Sequence, residues 1–134
     1  ANALFGSSSK ELIITGGTIR ESDGAVIGEN TIDYISKFKA DYGIIGAPAF
    51  DEYGSILDIS EKAVSVGKAI LKHSKKKIFV CDHSKLFKKA PHVICEISDI
   101  DIFITDKEPP EKFKKIAEKN NTEIIIANSN WSLQ

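Results

Sequence analysis

The stretch that most constrains the fold is an apolar run that stops abruptly in charge, Lys77-Ile-Phe-Val-Cys-Asp82-His-Ser-Lys85. Ile78 to Cys81 is too short for a helix and continuously apolar, the pattern of a strand covered on both faces. The polar turn Asp82 to Lys85 follows at once. Open parallel sheets bind ligands in the crevice just past the carboxyl ends of their strands. A fold of that kind therefore places its chemistry at this turn.

The same alternation recurs along the chain. Glu11–Thr15, Tyr42–Gly46, Ile100–Thr105 and Glu123–Ala127 are further short apolar runs and predict strands. Between them lie helical patterns. Ile32, Ile35 and Phe38 recur at threes from Glu29 to Lys39. Ala63, Val66, Ile70 and Leu71 share a face from Ser60 to His73, with Ser60 as N-cap. Phe113, Ile116 and Ala117 follow Pro109-Pro110, and Pro110 suits a first helical turn. Gly67 costs its helix about 1 kcal/mol relative to Ala, so close packing or ligand approach is expected there. Lys85 to Pro91 is a linker, and Ala47 to Gly54 is a loop too apolar to be a solvated tip. Strands alternating with helices predict βαβ units, a mainly parallel sheet of about five strands, and helices on both faces. The fold class is α/β.

Composition narrows the function classes. The chain has 134 residues, one domain's worth, and a formal net charge of −1, which predicts no bulk attraction to nucleic acid or an anionic membrane. Of its 18 basic residues only Arg20 is arginine, the better bidentate partner for phosphate and carboxylate. Lys75 to Lys77 with Lys88 and Lys89 form a solvated face rather than a nucleic-acid patch, lacking interleaved aromatics to stack bases. Cys81 and Cys95 show no CxxC or Cys/His spacing and read as reduced thiols of a cytoplasmic protein. No apolar run approaches the ~18 residues of a membrane span, and no signal-peptide pattern opens the chain. Ala1 to Lys10 is expected to be a remnant or linker, starting in part with an expression-vector scar. Residues 128–134 are expected to form a poorly ordered tail in which only Trp131 docks.

Three strand ends carry candidate binding residues: Gly16-Gly17-Thr18-Ile19-Arg20, Gly46-Ala47 to Asp51, and Asp82, Ser84 and Lys85. Glycines let a backbone approach a ligand and expose its N–H groups. Asp binds sugar hydroxyls, while Lys and Arg complement phosphate. Together they suit a small polar anion such as a phosphorylated sugar or polyol. Each has a plainer alternative. Gly16-Gly17 is equally a tight turn, Asp82 and Ser84 equally cap a helical turn, and Asp51 is equally a solvated turn residue. His73 and His83 read as surface residues. No P-loop, GxGxxG, GxSxG or metal-ligand spacing is present, so neither a cofactor nor a metal is expected.

Taken in order, Ile14-Thr-Gly-Gly-Thr-Ile-Arg20, Asp23-Gly-Ala-Val-Ile-Gly28, Gly43-Ile-Ile-Gly-Ala-Pro-Ala-Phe-Asp51 with Gly54, and Val80-Cys-Asp-His-Ser-Lys85 resemble the C-terminal effector-sensing domain of DeoR-family bacterial transcriptional repressors. The resemblance runs from about Glu11 to Ala127. Thr31 to Phe38 and Asp82-His-Ser-Lys85 look most like the glycerol-3-phosphate regulon repressor branch. It implies a Rossmann-like three-layer sandwich related to ribose-5-phosphate isomerase. Such a domain would bind a phosphorylated sugar or polyol, form a homo-oligomer, and control operator DNA through a winged helix-turn-helix absent from these 134 residues. It further implies that Gly16, Gly17 and Arg20 match a GGxxR element, that Gly46 and Asp51 form the second loop, and that Asp82, Ser84 and Lys85 form the third.

Two departures accompany the resemblance. Nothing before Glu11 matches the first strand and Gly-Thr-Thr-type loop of the family, so a fragment is expected. Ala63 and Gly67 also stand where Glu and Lys are common. Two rival functions follow. One is an isomerase-type enzyme with Asp51 or Glu61 as base. The other is a degenerate oligomerisation module without a ligand.

Overall fold

The computed structural model describes Gly6 and residues 11–127. The rest of 1–10 and the tail 128–134, with Trp131, lie outside the described residues. Strands β1 (Thr18–Ile19) and β2 (Val26–Ile27) form a hairpin, and α1 (Glu29–Ile35) leads into β3 (Ala40–Ile45). Next come β4 (Ala49–Phe50), β5 (Ser55–Asp58), α2 (Glu61–Lys72), β6 (Ser74–Val80) and a 3-10 turn at His83–Lys85. β7 (His92–Glu96), a 3-10 turn at Ile97–Asp99, β8 (Ile102–Thr105), α3 (Glu111–Lys119) and β9 (Glu123–Ile126) complete the order. Strands β3, β6, β8 and β9 pair side by side, all parallel, in a four-stranded sheet compatible with a Rossmann-like fold. Strands β4, β5 and β7 form a small antiparallel sheet.

Helix α2 shows how local chemistry sets an element. Ser60 Oγ accepts the Ala63 N–H at 3.3 Å, Glu61 sits in the first turn and Lys72 in the last, each favoured by the helix dipole. Val64, Gly67 and Leu71 are buried. A Cβ on Gly67 would come 3.1 Å from Ile94 Cγ2, so close packing against β7 is what the glycine serves. Of the shared face, Leu71 is in the core and Ile70 packs against it, while Ala63, Val66 and Ile70 line a cleft of about 730 Å³ beside the end of β3.

The core lies on one side of the parallel sheet. Ile45, Phe79 and Phe103 are neighbours across β3, β6 and β8 and are buried together. Phe79 and Phe103 stack with centroids 5.0 Å apart, Phe50 meets both edge-on, and Phe113 of α3 closes the cluster 5.2 Å from Phe103. Such pairs add about 0.5–1.5 kcal/mol each beyond the area they bury.

Several expectations are corrected. The sheet has four parallel strands, not about five, because Glu11–Thr15 forms no strand. Its backbone has no ladder partner among the described residues, and Leu12, Ile13 and Ile14 are exposed. Helices do not cover both faces, so the three-layer arrangement is not seen among the described residues. Ile70 of α2 approaches Gly43, and Phe113 of α3 packs on Phe103, which places both helices on the Phe79 side. The opposite face carries Tyr42, Ile44, Ile78, Val80, Ile102, Ile104 and Ile125 by register, with Ile44 61% exposed. Ile78–Cys81 is therefore covered on one face only.

Other boundaries moved for local reasons. Strand β7 was not expected: an irregularity between Ile56 and Leu57 of β5 places Ile94 and Cys95 both inside, which breaks the alternation that marks a strand. Strand β4 and its turn occupy the apolar loop Ala47–Gly54. Helix α1 stops at Ile35 because Lys37 and Phe38 donate to Tyr34 and Ile35, three residues back. We predict that Phe103→Ala will lower unfolding stability by about 3–5 kcal/mol in urea titrations. Ile44→Thr should change it by only about 0.5 kcal/mol. A large cost at Ile44 would show that the open face is covered in solution.

Candidate functional site

The strand ends expected to carry chemistry fall into two groups. At the carboxyl end of β3, Gly46 and Ala47 lie beside the end of β6, where Cys81 Sγ reaches the Ala47 carbonyl at 3.5 Å. The next residues, Asp82 to Lys85, form the 3-10 turn. Asp82 Oδ1 accepts the Ser84 N–H at 2.8 Å, and the Ser84 side chain, then this N–H, hold the Asp82 carboxyl below its usual range. Asp82 is thus a cap, as its plainer alternative had it. Burial pushes the Cys81 thiol up to about 11, so it is not a thiolate at neutral pH.

The second group belongs to the β1–β2 hairpin. Gly17 has φ +145°, and a Cβ there would fall 2.8 Å from the Ile27 carbonyl oxygen and onto Thr31 Oγ1. The buried Thr31 hydroxyl donates to the Gly16 carbonyl at 2.7 Å. Gly16-Gly17 is therefore a close-packed approach of backbone to α1, and Thr18 beside it is exposed. Arg20 Nε donates to Asp23 Oδ1 at 2.9 Å, and its Nη2 pairs with Asp23 Oδ2. The only arginine thus closes its own hairpin with an acid three residues on. It still lines the 730 Å³ cleft with Gly46 and Ala47, but its charge is already matched.

Asp51 joins neither group. Its Oδ1 accepts the N–H groups of Tyr53 and Ser55 at 3.0 and 2.9 Å, holding the turn between β4 and β5. Glu61, the other candidate base, is exposed and stands 3.9 Å from His92 Nδ1.

Sequence reasoning missed one arrangement. Asp106 follows the end of β8, the strand next to β6. Its Oδ1 accepts the His83 backbone N–H at 2.7 Å, and its Oδ2 lies 2.7 Å from His83 Nδ1. The His83 backbone and ring bonds hold the Asp106 carboxyl well down, at about 2. Thr105-Asp106 was the available signal: a polar pair ending an apolar run, as Asp82 ends the run before it.

Gly46, Ala47, Asp82 to Lys85 and Asp106 lie at or just past the carboxyl ends of parallel strands of an α/β domain, where open parallel sheets bind ligands. The sequence family described as DeoR C terminal sensor domain matches residues 1–107. The chain belongs to that family. It is 34% identical over 128 residues to the glycerol-3-phosphate regulon repressor of Haemophilus influenzae, covering 96% of this chain and 49% of that protein. The Escherichia coli glycerol-3-phosphate regulon repressor is 34% identical over 126 residues, 94% of this chain and 50% of that protein. The Escherichia coli HTH-type transcriptional repressor CsqR is 25% identical over 126 residues, 94% of this chain and 48% of that protein. The chain spans about half the length of these curated relatives.

Asp23 and Asp106 make acid stability testable. Both are lowered to about 2 from an ordinary 3.8, Asp23 chiefly by Arg20 and Asp106 chiefly by the His83 backbone N–H. A depressed folded value contributes stability that is complete above the unfolded value and is lost as pH falls through the folded one. The stability-against-pH curve should therefore fall between about pH 4 and pH 2. Asp106→Asn and Asp23→Asn should each flatten that limb in acid titrations followed by circular dichroism.

Proposed function

We propose that this chain is the effector-sensing part of a bacterial repressor and that it binds a phosphorylated sugar or polyol without turning it over. The observation that carries this reading is the 3-10 turn after β6, in which Asp82 caps Ser84 and Lys85 follows; it starts next to Cys81, whose Sγ reaches the Ala47 carbonyl at 3.5 Å. Lys85 supplies charge for the phosphate and Asp82 accepts from hydroxyls. Gly46 and Ala47 let the ligand approach the backbone. The relatives named for a glycerol-3-phosphate regulon make a three-carbon polyol phosphate the first ligand to try.

In the whole protein, the ligand's preference for one arrangement of the sensor would bias a homo-oligomer and so the operator affinity of an attached winged helix-turn-helix. Cytoplasmic residence, a sensing unit spanning residues 11–127, and kinship with the ribose-5-phosphate isomerase fold belong to the same reading. No helix among the described residues is long and apolar enough to cross a membrane. The isomerase alternative loses support, since Asp51 is tied to its own turn and Glu61 is exposed, 3.9 Å from His92 Nδ1. Calorimetric titration of glycerol 3-phosphate should show saturable binding, weakened about tenfold or more by Lys85→Ala, the loss of one charged hydrogen bond. Equal affinity in both proteins removes Lys85 from the site.

A further inference from the structure

The Asp106–His83 pair sits at the ends of two adjacent parallel strands and has no part in the phosphate contacts assigned above. Asp106 holds His83 at two points, one carboxylate oxygen on the backbone N–H and the other on ring Nδ1, each at 2.7 Å. That clamp ties the turn after β6 to the end of β8 and orients the imidazole. His83 keeps a side chain 46% exposed, so the ring is reachable from solvent.

The tautomer follows from the acceptor. An ionised carboxylate only accepts hydrogen bonds, so Nδ1 must carry the proton that fills the 2.7 Å contact. In the neutral ring the lone pair is then on Nε2, a nitrogen with no hydrogen-bond partner among the described residues. The other groups near the pair are Asp82 and Lys85 on its own turn, Cys81 before it, and the Thr105 hydroxyl, 3.4 Å from Asp106 Oδ1. Cys81 and Thr105 are uncharged, and Lys85 is the one cation among these neighbours.

We propose that His83, fixed by Asp106, is the hydroxyl-reading residue of the site: Nε2 accepts a hydrogen bond from a ligand hydroxyl while Lys85 takes the phosphate. This rests on the effector reading above and adds to it a residue that reads a ligand hydroxyl and the acid that orients it.

The test compares glycerol 3-phosphate with propyl phosphate, which lacks both hydroxyls, by calorimetry at pH 8 on the 134-residue chain. The wild-type chain should prefer glycerol 3-phosphate by about tenfold, the worth of one buried hydrogen bond. His83→Ala and Asp106→Asn should each cut that preference several-fold and leave propyl phosphate binding unchanged. Lys85→Ala should weaken both ligands together. Binding with the preference unchanged in His83→Ala overturns the proposal alone. No binding of either ligand to the wild-type chain overturns the effector reading and the proposal with it. Nitrogen-15 spectra of the ligand-free ring give a separate readout: the neutral Nδ1–H tautomer is expected, shifting toward Nε2–H in Asp106→Asn. An Nε2–H tautomer in the wild-type chain overturns the proposal whatever the ligand does.

Discussion

Four phenylalanine rings hold the layers together. Phe79 and Phe103 stand on neighbouring strands, Phe50 comes from the small sheet and Phe113 from α3, and all four are fully buried. Phe50 is the central member, edge-on to the other three at 5.5–6.0 Å. It sits on a two-residue strand, which could not hold its place by two ladder positions alone. The aromatic contacts fix β4, and β4 in turn carries the chain from Gly46 around to the turn that Asp51 closes. The position of the candidate site therefore depends on packing some distance beneath it.

Above that core, carboxylates do most of the local shaping. Asp51, Asp58, Asp82, Asp99 and Asp106 each accept a backbone N–H at a turn or strand end. Turns after strands leave N–H groups without ladder partners, and an Asp satisfies them, either two residues earlier as at Asp51, Asp58 and Asp82 or from further along the chain as at Asp99 and Asp106. Most of these acids are consumed by the fold. Asp82 and Asp106 differ because each also faces a neighbour that can meet a ligand, and Arg20, the most obvious anion partner in the sequence, does not.

The two faces of the parallel sheet are unlike. One is packed with rings and two helices, while the other presents isoleucines, a valine and a tyrosine to solvent. Parallel sheets are ordinarily covered on both faces, which is why their strands are apolar on both. The sequence of β6 has that two-sided character although the described residues cover one side.

Periodicity and propensity by themselves determined the α/β class, the positions of α2, α3 and the four parallel strands, and the polar turn after β6. These are local properties, since an amphipathic repeat or a short apolar run shows its character without knowing its partner. Motifs in order were enough to point to the DeoR sensor family. Tertiary structure alone decided what required a partner: that Glu11–Thr15 finds no strand to pair with among the described residues, that β7 exists despite its broken alternation, and that α2 and α3 lie on one face. It also separated the candidate residues. Arg20 is answered by Asp23 and Asp51 by its own turn, whereas His83, a surface residue by its sequence, is held by an Asp twenty-three positions away. Side-chain chemistry in a site depends on which groups meet, and for residues this far apart that is set by the stacking of strands, which no local pattern records.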